Sequence, residues 1–273
     1  MLLKKQLNKM ERKYLFNREI NQSGVVSPFF FVLDKEQDIV IKERENLDVL
    51  VSEISPNSSL NINIDRNAHL NIAFLNKNNA NNVKITAKIR QNAQISLYFA
   101  DFSSGENKVN VTLDLVEEGA SADWHLSSLA SEKDDKEFSV FVNHLSPRTF
   151  ATSDNYGVCK DEGKLIFSGT SHINKGCIKS DTRQNAKIMV FDKDSIAVAK
   201  PILKIDENDL VAAHSAVVGK INDEHLFYLT SRGLSEREAK ELIIYGYLKP
   251  IVKGFIDDND KEEISSLIEE KVK

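Results

Sequence analysis

Apolar and polar residues alternate strictly through Leu60-Asn61-Ile62-Asn63-Ile64, a period of two that gathers the apolar side chains on one face of a β-strand. Segments of this kind fill the long middle of the chain, residues 22–221. Three of them open alike: Asn67-Ala68-His69-Leu70-Asn71-Ile72, Asn92-Ala93-Gln94-Ile95-Ser96-Leu97 and Gly119-Ala120-Ser121-Ala122-Asp123-Trp124. Each is a turn residue, an alanine and an alternating strand, repeated at about 25–27 residues. A related turn recurs near Ser146-Pro147. A unit this small cannot bury its apolar face alone, so stacked units forming a parallel β-helix are expected. The Asn-Gly and Asp-Gly dipeptides of tight hairpins are absent, which fits that reading. Periodicity by itself leaves an antiparallel sandwich open.

The period changes to a helical one at both ends. In residues 1–21, Leu2, Leu3, Leu7 and Met10 stand at near-helical spacing among Lys4, Lys5, Lys9, Arg12 and Lys13, which predicts a short helix with a solvated basic face. Residues 222–273 predict a helical domain. Asn222 is placed to cap a first helix carrying Leu226, Phe227 and Leu229, and Gly233 to end it. Ser235 and Glu238 form a capping box for a second helix bearing Ala239, Leu242, Ile243, Tyr247 and Leu248, which Pro250 kinks or stops. Asp257-Asp258-Asn259-Asp260 caps a last helix with Ile264, Leu267, Ile268 and Val272 facing inward.

Composition adds few restrictions. The chain has 273 residues, 41% hydrophobic and 28% charged, with a formal net charge of −5. That suits a folded protein and gives no basic stripe for nucleic acid. No run reaches the length of a membrane span. With two cysteines, Cys159 and Cys177, and no signal-like apolar stretch, a reducing, cytoplasmic setting is expected.

Most catalytic readings fail on spacing. Gly157 and Gly163-Lys164 are one residue too far apart for a phosphate-binding loop, and Leu165 follows where Ser or Thr belongs. The acidic run at Asp257 lacks the glycine of a calcium loop. The cysteines form no CxxC pair, and His172 stands at no ligand spacing from Cys177. His69, His125, His144 and His225 have no partner visible in the sequence. A carbohydrate-active β-helical enzyme would need clustered carboxylates; Asp181 beside Arg183 is the nearest approach, and it lacks a second acid at a recognisable spacing.

Three strings then stand out, in order: KSDTRQNAKIMVFD at residues 179–192, KPILKIDENDLVAAHSAVVG at 200–219 and LFYLTSRGLSEREAKELIIYGYL at 226–248. Together they resemble the C-terminal part of the SufB/SufD family. The resemblance implies a mainly β protein: a right-handed parallel β-helix with a short N-terminal helical segment and a C-terminal α-helical domain. It implies a non-enzymatic scaffold subunit of the SUF iron–sulfur cluster assembly complex. Such a subunit pairs β-helix to β-helix with a SufB-like subunit and offers its C-terminal helices to the ATPase SufC. An iron–sulfur cluster, transient and shared with SufB, is implied, and no nucleotide bound by this chain. His214 matches the family's SufD histidine as the expected cluster ligand. Ser215 stands where SufB has a glutamate, so the resemblance is to the SufD type, although Ala212 replaces a cysteine found in some members. Phe227, Tyr228, Arg232 and Gly233 are the residues expected to meet SufC, and Gln184 and Cys177 are further site candidates. Self-pairing into a homodimer is the alternative within the family; the carbohydrate-active enzyme is the alternative outside it.

Overall fold

The computed structural model describes residues 29–78 and 81–272; the expected helix at residues 1–21 lies outside them. Strands of alternate parity build two parallel sheets. One runs β1 (Phe29–Leu33), β3 (Asn46–Ile54), β5 (His69–Asn76), β7 (Gln94–Asp101), β9 (Ser121–Ala130), β11 (Phe150–Cys159), β13 (Ser180–Val190) and β15 (Leu210–Lys220). The other runs β2 (Glu36–Ile41), β4 (Ser59–Ile64), β6 (Val83–Ile89), β8 (Glu106–Leu115), β10 (Asp135–His144), β12 (Lys164–Ile173) and β14 (Ile196–Ile205). Each turn contributes one strand to each sheet, and the described pairings are parallel, in a β-helix. This removes the antiparallel sandwich.

The repeated openings are the corners of this helix. Asn67, Asn92, Gly119, Arg148 and Lys179 all take positive φ, from 52° to 74°, the left-handed conformation that asparagine and glycine adopt most easily. The residue after each must be small or polar because it turns inward: Ala68, Ala93, Ala120 and Thr149 are fully buried. The turns also lengthen along the chain. Contacts between adjacent turns join residues 23 apart at Asn61 and Asp38, 27 apart at Ser128 and Asp101, and 31 apart at Asn185 and Asp154. Strand length grows accordingly, from 5 residues in β1 to 11 in β15.

Between the sheets lies a continuous apolar core. Its widest part is aromatic: Phe99 stacks on Phe74 at 5.4 Å and meets Phe138 edge-on at 6.1 Å, and Phe138 meets Phe167 at 5.9 Å. Truncating such a ring typically costs about 3–5 kcal/mol.

The C-terminal segment forms three described α-helices, α1 (Asp223–Ser231), α2 (Glu236–Leu248) and α3 (Asp258–Val272), with a 3-10 turn over Lys249–Gly254. The expected caps are present. Asn222 accepts from the amides of Glu224 and His225, and Ser235 and Glu238 complete a capping box. Gly233 has φ +98°. Pro250 falls in the first turn of the 3-10 segment, so α2 stops before it. The helices fold back along the outer face of the first sheet, where Ile244, Leu248, Ile251, Phe255, Ile264 and Ile268 pack on Leu50, Leu75, Ala100, Leu129 and Val158. One expected inward residue differs: Leu242 is exposed and Ile244 is buried in its place, because α2 turns toward the sheet by the face that also carries Ala239 and Leu248.

Candidate functional site

The β-helix ends on β14 and β15, each the last strand of its sheet with one unpaired edge. Ile202, Ile205, Val211, Val217 and Val218 are left exposed there. The two edges differ in kind. β14 carries Lys200, Pro201 and Lys204, the charges and proline that discourage a further strand from adding. β15 reads Leu-Val-Ala-Ala-His-Ser-Ala-Val-Val-Gly-Lys from Leu210 to Lys220, with no proline and no charge before its last residue. That is a long, receptive edge.

His214 sits in the middle of it. Parallel register keeps aligned residues on one face, and His214 aligns with Gln184, Gln184 with Ser153, Ser153 with Trp124, Trp124 with Leu97 and Leu97 with Ile72. Gln184, Ser153, Trp124, Leu97 and Ile72 are all buried. His214 therefore faces the axis of the β-helix and is exposed because it stands on the last turn. The column passes from aliphatic to aromatic to polar as it approaches the open end.

Gln184 is locked beneath it. Its Nε2 donates to Ser171 Oγ at 2.6 Å and to the carbonyl of Ile202 at 3.2 Å. Asn155 accepts from Trp124 Nε1 at 2.9 Å and donates to Ser153 Oγ at 3.1 Å. Ser153, Asn155, Ser171 and Thr182 escaped the sequence reading. Their signal was there: Ser180, Thr182 and Gln184 put polar side chains at the positions of β13 that alternation turns inward.

Neither thiol joins this column. Cys177 lies in the corner turn before β13, buried, its Sγ donating to the carbonyl of His144 at 3.1 Å, and burial raises its pKa. Cys159 donates to the carbonyl of Gly163 at 3.0 Å, and burial pushes it up to about 11. Both are held as protonated thiols, poor nucleophiles.

The residues expected to meet an ATPase form a separate surface. α1 buries no residue; Phe227 is 74% exposed and Tyr228 57%. Arg232 lies over the Tyr228 ring at 5.2 Å. Beside them a groove between α2 and α3 is lined by Leu234, Leu242, Tyr245 and Val272, with Glu238, Glu241 and Glu269 at its rim. Among the described residues no helix is long and apolar enough to cross a membrane.

Comparison with known proteins agrees with this architecture. The family described as "SUF system FeS cluster assembly, SufBD core domain" matches residues 19–247. The chain is 31% identical over 171 residues to the iron–sulfur cluster assembly protein SufD of Bacillus subtilis, covering 63% of this chain and 39% of that protein. It is 29% identical over 115 residues to SufD of Escherichia coli, covering 42% of this chain and 27% of that protein. A SufBD family protein of Staphylococcus saprophyticus is 28% identical over 139 residues, covering 51% and 30%. The chain thus spans less than half the length of these relatives. The open β-helix end, the motif around His214 and the family match together place this chain in the SufB/SufD family of iron–sulfur cluster assembly proteins, with the features of its SufD type.

Proposed function

We propose that this chain is a non-enzymatic scaffold subunit that mates with a SufB-like subunit through the open end of its β-helix and carries α1 and α2 as the docking surface for the ATPase SufC. The observation that carries the reading is His214: an imidazole on the axis of the last turn, centred on an unpaired strand edge with no proline and no charge before its terminal Lys220. A second β-helix seated on that edge would cover His214 and bring its own ligands to it. The iron–sulfur cluster is cargo here, built at the seam and passed on. Neutral imidazole serves as an iron ligand in some clusters. Cys177 is turned away against a carbonyl, so the remaining ligands come from the partner. Phe227 and Tyr228 are aromatic anchors of the kind that dominate docking energies, and helix faces are a common mode of recognition.

The test is co-expression with the SufB-like and SufC partners, with and without His214→Ala. The variant is expected to assemble the complex and to lose most of the bound iron and sulfide. Unchanged iron and sulfide would reduce His214 to a packing residue and the subunit to a structural mate.

A further inference from the structure

A β-helix gains most from an apolar interior, yet the first three inward residues of β13, one turn below His214, are polar. Ser180, Thr182 and Gln184 are all buried there. Thr182 Oγ1 donates to Ser171 Oγ at 2.9 Å, and the same Ser171 receives Gln184 Nε2. Because both N–H groups of the Gln184 amide are engaged, by Ser171 and by the carbonyl of Ile202, the amide has one sensible orientation. Turned over, its oxygen would oppose the Ile202 carbonyl.

In that orientation Gln184 Oε1 is buried without a partner. It lies over Gly169, where a Cβ would come within 2.8 Å of it. A small cavity adjoins it, lined by Asn155, Gly169, Gln184 and Pro201, roughly the room one water needs. A buried acceptor without a partner is destabilising, so a donor is called for. Asn155 cannot serve, since its amide already donates to Ser153 Oγ and to the carbonyl of Asn185. The donor that the strand register does offer is the ring N–H of His214, next in the inward column, its backbone one strand spacing from that of Gln184.

We infer that Gln184 is a positioning residue for His214: its Oε1 is joined to the imidazole N–H through one water in the cavity over Gly169. The bridge fixes the ring tautomer and leaves the other nitrogen bare, with its lone pair toward the open end. Histidines that bind metals are commonly held in this way by a carbonyl behind them. The inference rests on the reading of His214 as a site residue. It also explains the glycine at 169, whose missing side chain gives the amide oxygen its place.

The experiment is the 15N spectrum of the His214 imidazole in the full chain, recorded where the ring is neutral. In the unaltered protein the tautomer whose N–H faces Gln184 is expected to be enriched roughly fivefold over its ratio in a solvent-exposed histidine, the change that about 1 kcal/mol sets. Gln184→Leu should bring the ratio to that of a solvent-exposed histidine. Gln184→Glu, which keeps an acceptor, should retain the excess. Gly169→Ala should abolish it with Gln184 still present, which covers the case of Gln184→Leu failing to fold. An unchanged ratio in Gln184→Leu or in Gly169→Ala overturns the inference. Bound iron and sulfide in the partner complex are read separately. If His214→Ala keeps its iron while Gln184→Leu shifts the tautomer, the positioning stands and the cluster reading falls. If His214→Ala loses iron and the tautomer ignores Gln184, the cluster reading stands and the positioning falls.

Discussion

His144, the last inward residue of β10, has its Nδ1 2.8 Å from Thr149 Oγ1, and Thr149 Oγ1 in turn lies 2.9 Å from Ser180 Oγ. Burial pushes its imidazole down to about 4, against a weaker upward pull from Asp181. An unfolded chain takes up this proton near the ordinary value of about 6.5. Between those values the unfolded state binds more protons than the folded one, so stability rises with pH across the window. The contribution is complete above about pH 6.5 and is lost on acidification toward 4, by up to about 3 kcal/mol. Urea unfolding from pH 7.5 to 4.5 should show this slope, and His144→Gln should flatten it; equal slopes would assign the acid sensitivity to other groups. At this scale the sequence was only partly readable. The motif singled out His214 and Gln184, but their alignment in one inward column depends on strand register, which no local pattern specifies. Lys136 and Asp101 are fully buried and bonded at 2.8 Å, a pairing the sequence hides, because Lys136 stands in the charged run Glu132–Glu137 that reads as surface.

The units that begin at Asn67, Asn92 and Gly119 share a left-handed residue followed by alanine, which makes their repeat visible in the sequence. Beyond them the repeat length drifts, and the corners at Arg148 and Lys179 no longer resemble the first three. The helix caps were legible for a similar reason: a cap is a local bond between near neighbours. Which face of α2 turns inward was not, since Leu242 and Ile244 are equally apolar and the choice belongs to the sheet it lies on. The 3-10 turn shows how tight that docking is. A Cβ on Gly254 would enter the ring of Tyr98, on the outer face of β7. Gly254→Ala should therefore loosen the 3-10 turn and α3, seen as faster amide exchange in both and a stability loss of about 1–3 kcal/mol. Tyr98→Ala in the same chain should recover part of that loss. No coupling between the two substitutions would mean that the turn is held elsewhere.

On the scale of the molecule, the decisive asymmetry is between the two edges at the open end. A charge placed on the outer side of β15 should reproduce the protection that β14 already has. Val211 aligns with Asp181 and Ala213 with Arg183, so Val211→Lys and Ala213→Glu each face a neighbour of opposite sign within the chain. Both variants should keep their thermal stability within about 0.5 kcal/mol and bind the proposed SufB-like partner more weakly in sedimentation or titration. Undiminished binding would move the seam away from β15.

The widening of the turns has a consequence for how such molecules can assemble. An array of identical turns could add copies head to tail without limit, as solenoid fibres do. Here the narrow end of the described stack presents the 5 residues of β1 and the wide end the 11 residues of β15. Head-to-tail addition would leave more than half of the broad edge without hydrogen bonds. Two broad ends meeting face to face would match in length, 11 residues of β15 against 11. Within the described residues the taper thus favours the pairing of like ends over head-to-tail addition.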